Sequence, residues 1–581
     1  MNQKNVPSRS PSSAFIRWRY YLVCFGMFAA FAILVGRAAY IQVLEPGRLR
    51  QEGDLRSLRV KALPSSRGII SDRNNEQLAV SVPVRAVWAD PKVIAERGLG
   101  DVERWHALAD VLALKHDTLL TRITANPSRR FVYLQRQVSP AMAAYVEGLN
   151  LPGIGLRDES RRYYPAGEVS SQLIGVTGID GRGLEGIEST YDGWLSGEPG
   201  ARTVRKDRYG RVVENISVRE REQGKPLQLS IDQRIQAVAY RAAKQAVVDY
   251  QATSVSIIMT DVTTGEVLAM VNSPSYNPNN RTEWQSYRMR NRTITDAMEP
   301  GSSVKPFVVL AAMENGVANE DTVIDTGNGI MQIGGSRVRD VSKAGEANLQ
   351  KILQKSSNIG VSKLSLAMPI QELLAFYASV GLGESSGISL IGESQGIFPY
   401  RNRWSDFERA TISFGYGLSV TPIQLVRAYT TLGGLGIARP LSVIKLEQDS
   451  PGVRVASEEN TRKLLNMLES VTQQGGSATR AAVSGYRVGA KTGTSVKAVS
   501  GGYGDEYVGL TAGLAPISQP RLALVVVVNE PQGDQYYGGQ VAAPIFSEVM
   551  RSALQILNIP PDAGGSDMNI VTIQGRTHAE S

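Results

Sequence analysis

The chain has 581 residues, 42% of them hydrophobic and 20% charged, which is enough apolar material for several domains with cores of their own. Cys24 is the single cysteine, so an intramolecular disulfide and a thiolate metal cluster are excluded. His106, His116 and His578 are the only histidines, which argues against a zinc hydrolase and against a Ser-His-Asp triad. Lys4, Arg9, Arg17 and Arg19 supply half of the formal net charge of +8 before the first acidic residue, and the rest is too dispersed to point to nucleic acid.

From Tyr20 to Gly36 the chain carries no charge, and apolar character resumes after Arg37 through Leu44. A slightly tilted helix over 20–44 would span a bilayer, with Arg37 snorkelling. The basic flank places residues 1–19 in the cytoplasm and the chain from residue 45 onward outside it. An uncleaved anchor is favoured over a cleaved signal, because no small-x-small site with a polar continuation comes after the apolar run.

Residues 45–225 alternate short β-type runs with helical stretches, as expected for a separate β-rich module. Arg67-Gly68-Ile69-Ile70-Ser71-Asp72-Arg73 followed by Leu78-Ala79-Val80-Ser81-Val82 reads as a strand, a tight turn and a returning strand. The Arg, Asp and Glu residues of Arg161-Arg162-Tyr163-Tyr164-Pro165, Gly186-Ile187-Glu188 and Lys206-Asp207-Arg208-Tyr209-Gly210 are better read as shape-fixing ion pairs than as catalysts.

The pattern changes at Lys225-Pro226. Leu227 to Asp232 alternates like a strand, and Asp232 caps a helix through Ala246. Val255–Asp261 and Glu266–Val271 flank Thr263-Thr264-Gly265, a hairpin by its turn chemistry. Val508 to Leu514 and Arg521 to Asn529 are strands, and a helix runs from Pro544 to Leu557. Strands at both ends of 226–560 with helices between them predict an α+β domain around one sheet. Residues 561–581 are poor in hydrophobics and read as a mobile tail.

Within that domain, Pro300-Gly301-Ser302-Ser303-Val304-Lys305-Pro306 reads as a helix start, because proline is tolerated only in the first turn. Ser302 and Lys305 then share a face. Roughly two or three Ser-x-x-Lys matches are expected by chance in a chain of this length, so the pair alone proves little. Ser356-Ser357-Asn358 and Lys491-Thr492-Gly493-Thr494 come later in the chain, and the ordered set Ser-x-x-Lys, Ser-x-Asn, Lys-Thr-Gly is far rarer. It is the motif set of penicillin-binding proteins and class A β-lactamases.

The chemistry at these positions is coherent. Ser302 is the candidate nucleophile and Lys305 its base, provided that burial and the second cation, Lys491, disfavour the ammonium form. Ser356 would relay a proton, and Asn358 would hold a substrate amide. Lys491, Thr492 and Thr494 would receive a terminal carboxylate, and Gly493 would let a ligand backbone approach. The backbone N–H groups of Ser302 and Thr494 would form an oxyanion hole, typically worth about 3–4 kcal/mol in the barrier.

With Arg67-Gly68, Asp72-Arg73, Tyr164-Pro165, Asn277-Pro278-Asn279-Asn280, Gly415-Tyr416-Gly417 and Val420-Thr421-Pro422, these motifs resemble those of class B penicillin-binding proteins. Within that class the chain is most similar to the division-specific D,D-transpeptidases of Gram-negative bacteria, up to about residue 560.

The resemblance implies a single membrane helix, an elongated β-rich pedestal of dimerisation type over 45–225, and a penicillin-binding/β-lactamase-like transpeptidase domain over 226–560 with a central antiparallel sheet between helices. It implies that Ser302 is acylated by a stem peptide ending in D-Ala-D-Ala and resolved by a neighbouring stem peptide's amine, meso-diaminopimelate in a Gram-negative host. Penicillins would acylate the same serine. It also implies an inner-membrane location, division partners, and a separate membrane glycosyltransferase, since no such domain precedes the pedestal. No cofactor, metal or nucleic acid enters. Ser303 stands where threonine is commoner in the family, which leaves nucleophile and base untouched.

The same motifs serve D,D-carboxypeptidases and β-lactamases, but a pedestal of this size and the lack of a distinct deacylating glutamate disfavour them. A condition-specialised paralog of the division enzyme would carry the same residues.

Overall fold

The structure, a computed structural model, describes residues 17–44, 47, 51, 54, 57–63, 65–100, 102–207, 212–448, 450–499 and 502–564. Most of the expected cytoplasmic segment, Arg208-Tyr209-Gly210, and the tail beyond residue 564 lie outside these. The described residues form two compact units, one from those up to Ser65 together with 198–222, the other from 66–197 and 223 onward.

In the first unit, Arg17–Val43 is helical, long and apolar enough to cross a membrane, and buries none of its window. A three-stranded antiparallel sheet has Gly200–Lys206 in its centre, between Leu58–Leu63 and Val212–Arg219.

The second unit opens with the expected strand, turn and return, Ile70–Ser71 pairing antiparallel with Gln77–Ala89. The long strand also pairs with Val132–Val138 and Ile154–Tyr163. Helices close one small core there, in which Trp105, Leu108, Leu119 and Leu134 are buried around Val87. The strand expected over 227–232 is only Leu227–Gln228. Beyond it the Leu229 N–H still donates to Ser71 O at 2.8 Å, while Leu229 bridges to Ile444 and the Ser230 N–H donates to Val443 O at 2.9 Å.

Asp232 caps α1 (Gln233–Asp249) by accepting from the Arg234 N–H. β1 (Ser254–Asp261) and β2 (Val267–Ser273) form the predicted hairpin, with Gly265 at φ +80° in the turn, a conformation that favours glycine. The chain then builds α2 (Lys305–Glu314), α3 (Asn358–Ala367) and α4 (Pro422–Gly433), and returns through β3 (Gly489–Val499), β4 (Gly502–Ala515), β5 (Leu522–Asn529) and α5 (Ala543–Ile556).

The five strands make one antiparallel sheet in the order β2-β1-β5-β4-β3. Every residue of β1 and β2 is buried, so both faces are covered. α1 and α5 pack together on one face and α4 lies on the other, as expected for the α+β reading. α4 starts where Thr421 and Gln424 form a capping box with Pro422 in the first turn. β3 is the sheet's edge, which leaves alternate backbone groups free of strand partners along its outer side.

The arginines and acids of the module before α1 form a buried network. Glu188 has no exposure and accepts from Arg67 Nε at 2.5 Å and Arg162 Nε at 2.7 Å. Arg67 Nη1 also donates to Asp192 at 2.6 Å. Asp72 accepts the N–H groups of Asn74, Glu76 and Gln233, tying the first turn to the start of α1. Removing one member of such a network strands the others as buried charges. Glu188→Ala is expected to destabilise the protein by about 3–5 kcal/mol, measured as a lowered denaturation midpoint of the detergent-solubilised chain, while Glu458→Ala, in an exposed pair with Arg462, changes it little.

Candidate active site

Local chemistry explains the turn that carries Ser302. Pro306 cannot sit deeper than the first turn of α2, and the residues before it, Gly301–Val304, tighten into a 3-10 turn. Lys305 is the first α-helical residue. The turn is braced on several sides. Gly301 N–H donates to Gly415 O at 3.2 Å, Ser303 Oγ to Pro300 O at 2.8 Å, and Tyr429 Oη to Ser303 O at 2.9 Å.

Edge strand β3 runs beside this turn. Ser495 Oγ donates to Glu299 O at 2.9 Å. A Cβ at Gly301 would lie 3.2 Å from Thr494 O and 3.5 Å from Thr494 N, so the backbone of Thr494 borders the serine turn closely. At Gly493 the space of the missing side chain is taken by protein: a Cβ there would lie 2.7 Å from Pro300 O. This glycine therefore permits the approach of the serine turn, where the sequence suggested room for a ligand backbone.

Lys305 is completely buried. Its Nζ donates to Ser356 O at 2.7 Å and Asn358 Oδ1 at 2.7 Å, and lies 3.2 Å from Ser356 Oγ. Ser356 reaches it from a left-handed conformation, φ +56°, rare for a residue with a side chain. Asn358 Nδ2 donates to Arg339 O at 2.8 Å, which orients the amide so that Oδ1 meets the lysine. The Ser302 hydroxyl, half-exposed, has no hydrogen bond among the described residues. Ser-x-x-Lys spacing thus brings the two side chains to one face, but the lysine is held by the Ser-x-Asn motif.

Burial is the main force that holds the Lys305 pKa well below the usual lysine range, the Lys491 charge adds to it, and Asp340 opposes it. Lys491 is also fully buried, and burial pushes its pKa down to about 7. Its Nζ donates to Thr492 O at 3.1 Å and reaches Ser477 Oγ at 3.5 Å, while Thr492 Oγ1 lies 3.1 Å from the same Ser477 hydroxyl. The Thr494 hydroxyl accepts from Gly538 N–H at 3.0 Å. The three motifs converge on one site.

Sequence reasoning missed the residues that support them. Asp340 accepts from Ser357 Oγ at 2.6 Å and from Ile359 N–H at 3.0 Å, fixing the start of α3. Ser477 joins two members of the Lys-Thr-Gly motif. Glu299 accepts from Gly417 N–H at 2.8 Å and Tyr503 Oη at 3.2 Å, and burial raises its pKa. None of these has a local signature: Asp340 and Ser477 lie outside the motifs they support, and Glu299, beside Ser302 in the chain, bonds to Gly417 and Tyr503 far along it.

Residues 255–551 match the penicillin binding protein transpeptidase domain and residues 62–229 the penicillin-binding protein dimerisation domain. The chain belongs to the class B penicillin-binding proteins. It is 52% identical over 562 residues to the peptidoglycan D,D-transpeptidase FtsI of Escherichia coli, covering 96% of this chain and 95% of that protein. It is 38% identical to the probable peptidoglycan D,D-transpeptidase PbpC of Pseudomonas aeruginosa, covering 94% and 96%. Among solved structures, the apo transpeptidase domain of Burkholderia pseudomallei penicillin-binding protein 3 aligns with a TM-score of 0.54 at 38% identity, over 58% of this chain and 98% of that one. A peptidoglycan synthetase from Bifidobacterium adolescentis aligns with a TM-score of 0.70 at 25% identity, over 88% and 98%.

The electrostatics give a signed pH prediction. Lys305 can accept a proton only when neutral, so acylation by a penicillin should rise with pH through its pKa. Replacing Lys491 by Met removes a cation that lowers that pKa; the pKa then rises, and the rising limb of the acylation rate moves to higher pH. Stopped-flow acylation rates of the variant and the parent across about pH 4–10 check this; an unmoved limb would contradict it.

Proposed function

We propose that Ser302 is the acylated nucleophile of a peptidoglycan D,D-transpeptidase that cross-links stem peptides during cell division. The single observation that carries the reading is the buried Lys305 Nζ, held by Ser356 and Asn358, with its proton affinity lowered by burial and by Lys491.

Neutral Lys305 takes the Ser302 proton as Oγ attacks the carbonyl carbon of the penultimate D-Ala. The oxyanion is met by the N–H groups of Ser302 and Thr494, and the terminal carboxylate by Lys491, Thr492 and Thr494. Collapse breaks the C–N bond; the departing D-Ala nitrogen receives the proton from Lys305 through the Ser356 hydroxyl. The acceptor amine then attacks the ester, loses a proton along the same path, and expels Ser302, which is reprotonated. Gly493 lies in the same strand and, lacking a side chain, sets its distance from the serine turn. A β-lactam opens by the first half of this sequence and lacks a leaving group that diffuses away.

The helix Arg17–Val43 anchors the chain in the inner membrane, with the basic N-terminus cytoplasmic and the transpeptidase domain periplasmic. Glycan polymerisation comes from a membrane glycosyltransferase that acts with it and with other division proteins. The domain limits implied are 45–225 for the pedestal and 226–560 for the transpeptidase.

Intact-mass spectrometry of the detergent-solubilised chain with benzylpenicillin tests the assignment. A stable adduct that maps to Ser302 and vanishes in Ser302→Ala is the expected result; an adduct of equal yield in the variant overturns it. A D-Ala-D-Ala stem peptide with an added amine acceptor should give cross-linked product in excess of hydrolysed product, whereas hydrolysis alone would mark a carboxypeptidase.

A further inference from the structure

Away from the Ser302 site, a cavity of about 230 Å³ is lined by the pedestal's Gln137, Arg161, Arg162 and Thr177 and by Asn279, Arg281 and Trp284 of the loop after β2, among others. No carboxylate lines it, and three guanidinium groups do.

The hydrogen bonds of these arginines are incomplete. Arg162 is 8% exposed; its Nε serves Glu188 and its Nη1 serves Ser81 Oγ at 3.2 Å, but its buried Nη2 has no partner among the described residues. Trp284 Nε1 is also buried without a partner among them. Arg161 donates to Asn279 O at 3.2 Å and Arg281 stacks over the Trp284 ring at 5.3 Å; neither makes an ion pair among the described residues. Arg67, in the same region, has every nitrogen engaged.

A buried donor left unsatisfied costs roughly 1–3 kcal/mol, and native structures leave few. Here two such donors and two unpaired guanidiniums belong to the walls of one cavity with no acid among them. An acceptor that carries negative charge would satisfy the two buried donors and pair with the two exposed guanidiniums, because planar guanidinium forks match the oxygens of carboxylate and phosphate. Asn279 keeps the two walls together: its side chain accepts from Tyr164 N–H at 3.0 Å and donates to Tyr164 O at 2.9 Å.

We propose that this cavity, between the pedestal and the loop after β2, is a binding site for an oxyanion group, a carboxylate or a phosphate, separate from the Ser302 site. The group belongs either to a free inorganic anion or to a cell-wall stem peptide, whose carboxylates have the same chemistry.

The test uses the full chain in detergent with two probes, inorganic phosphate and the tripeptide L-Ala-D-Glu-meso-diaminopimelate, which lacks the D-Ala-D-Ala donor. Binding is followed by tryptophan fluorescence, with Trp284→Phe identifying the reporter, and by calorimetry. At least one probe should bind, with affinity about tenfold lower in Arg281→Gln and in Arg161→Gln, and with no change after penicillin has acylated Ser302. Both arginines are exposed, so the variants should keep the parent's denaturation midpoint and penicillin adduct. Phosphate binding alone marks the free anion as ligand; preference for the tripeptide marks the wall. Absence of binding by both probes, equal binding in the two variants, or loss of binding on acylation overturns the proposal.

Discussion

The site depends on one buried amine. Lys305 Nζ is removed from water entirely, a placement that an ammonium ion resists by several kcal/mol unless its surroundings replace the lost hydration. Two carbonyl oxygens and a hydroxyl replace it in part, all from Ser356 and Asn358. The nearest support for the charged form is Asp340, and its carboxylate is already engaged by Ser357 and Ile359. Lys491 acts in the opposite sense. The arrangement therefore holds the amine in place while leaving it weakly basic, which a proton acceptor near neutral pH requires.

The rest of the domain supplies positions to that amine. α2 brings Lys305 because Pro306 forces the helix to begin there, and the two turns around Ser302 and Ser356 are held from outside by Gly415, Tyr429 and Asp340. β3 completes the cleft because it is an edge: a central strand would have both backbone sides occupied, and Thr494 could offer no N–H toward the serine turn. The missing side chain at Gly493 sets how near the strand comes. A Cβ in that place would press on Pro300 O and push the Ser302 turn and Thr494 apart, and with them the N–H groups proposed to meet the oxyanion.

Much of this is legible in the sequence. β5, a continuous apolar run from Leu522 to Val528, reads as a fully covered strand, and the hairpin at Thr263-Thr264-Gly265 is announced by its turn residues. The three motifs announce themselves by order. Asp340, Ser477 and Glu299 do not, since an isolated acid or serine carries no pattern until folding sets it beside its target. The strand at Leu227 comes out too long from sequence for a similar reason: alternation continues to Asp232, but the partner strand ends at Ser71, which takes its last bond from the Leu229 N–H, and Ser230 turns to Val443. Which side chain would occupy Lys305 is also beyond spacing rules. Three residues on a helix place Ser302 and Lys305 on one face, yet the partner is chosen by the left-handed turn at Ser356, which sequence periodicity does not encode.

The hydrogens around Lys305 suit the proton transfer proposed for it. Ser356 O and Asn358 Oδ1 can only accept, and Asn358 cannot reverse its amide without losing the bond to Arg339 O. A neutral amine has two hydrogens, and these two carbonyls at 2.7 Å take both. Its lone pair is left for a hydroxyl to donate to, and Ser356 Oγ lies 3.2 Å away. In the proposed mechanism, a proton taken from Ser302 would become the third N–H of an ammonium whose bonds to the two carbonyls are kept. The Ser356 hydroxyl, able to donate or accept, can then receive that third N–H and pass its own proton to the leaving nitrogen. The two carbonyls fix the amine, and in the proposed mechanism the two hydroxyls would carry the proton in and out.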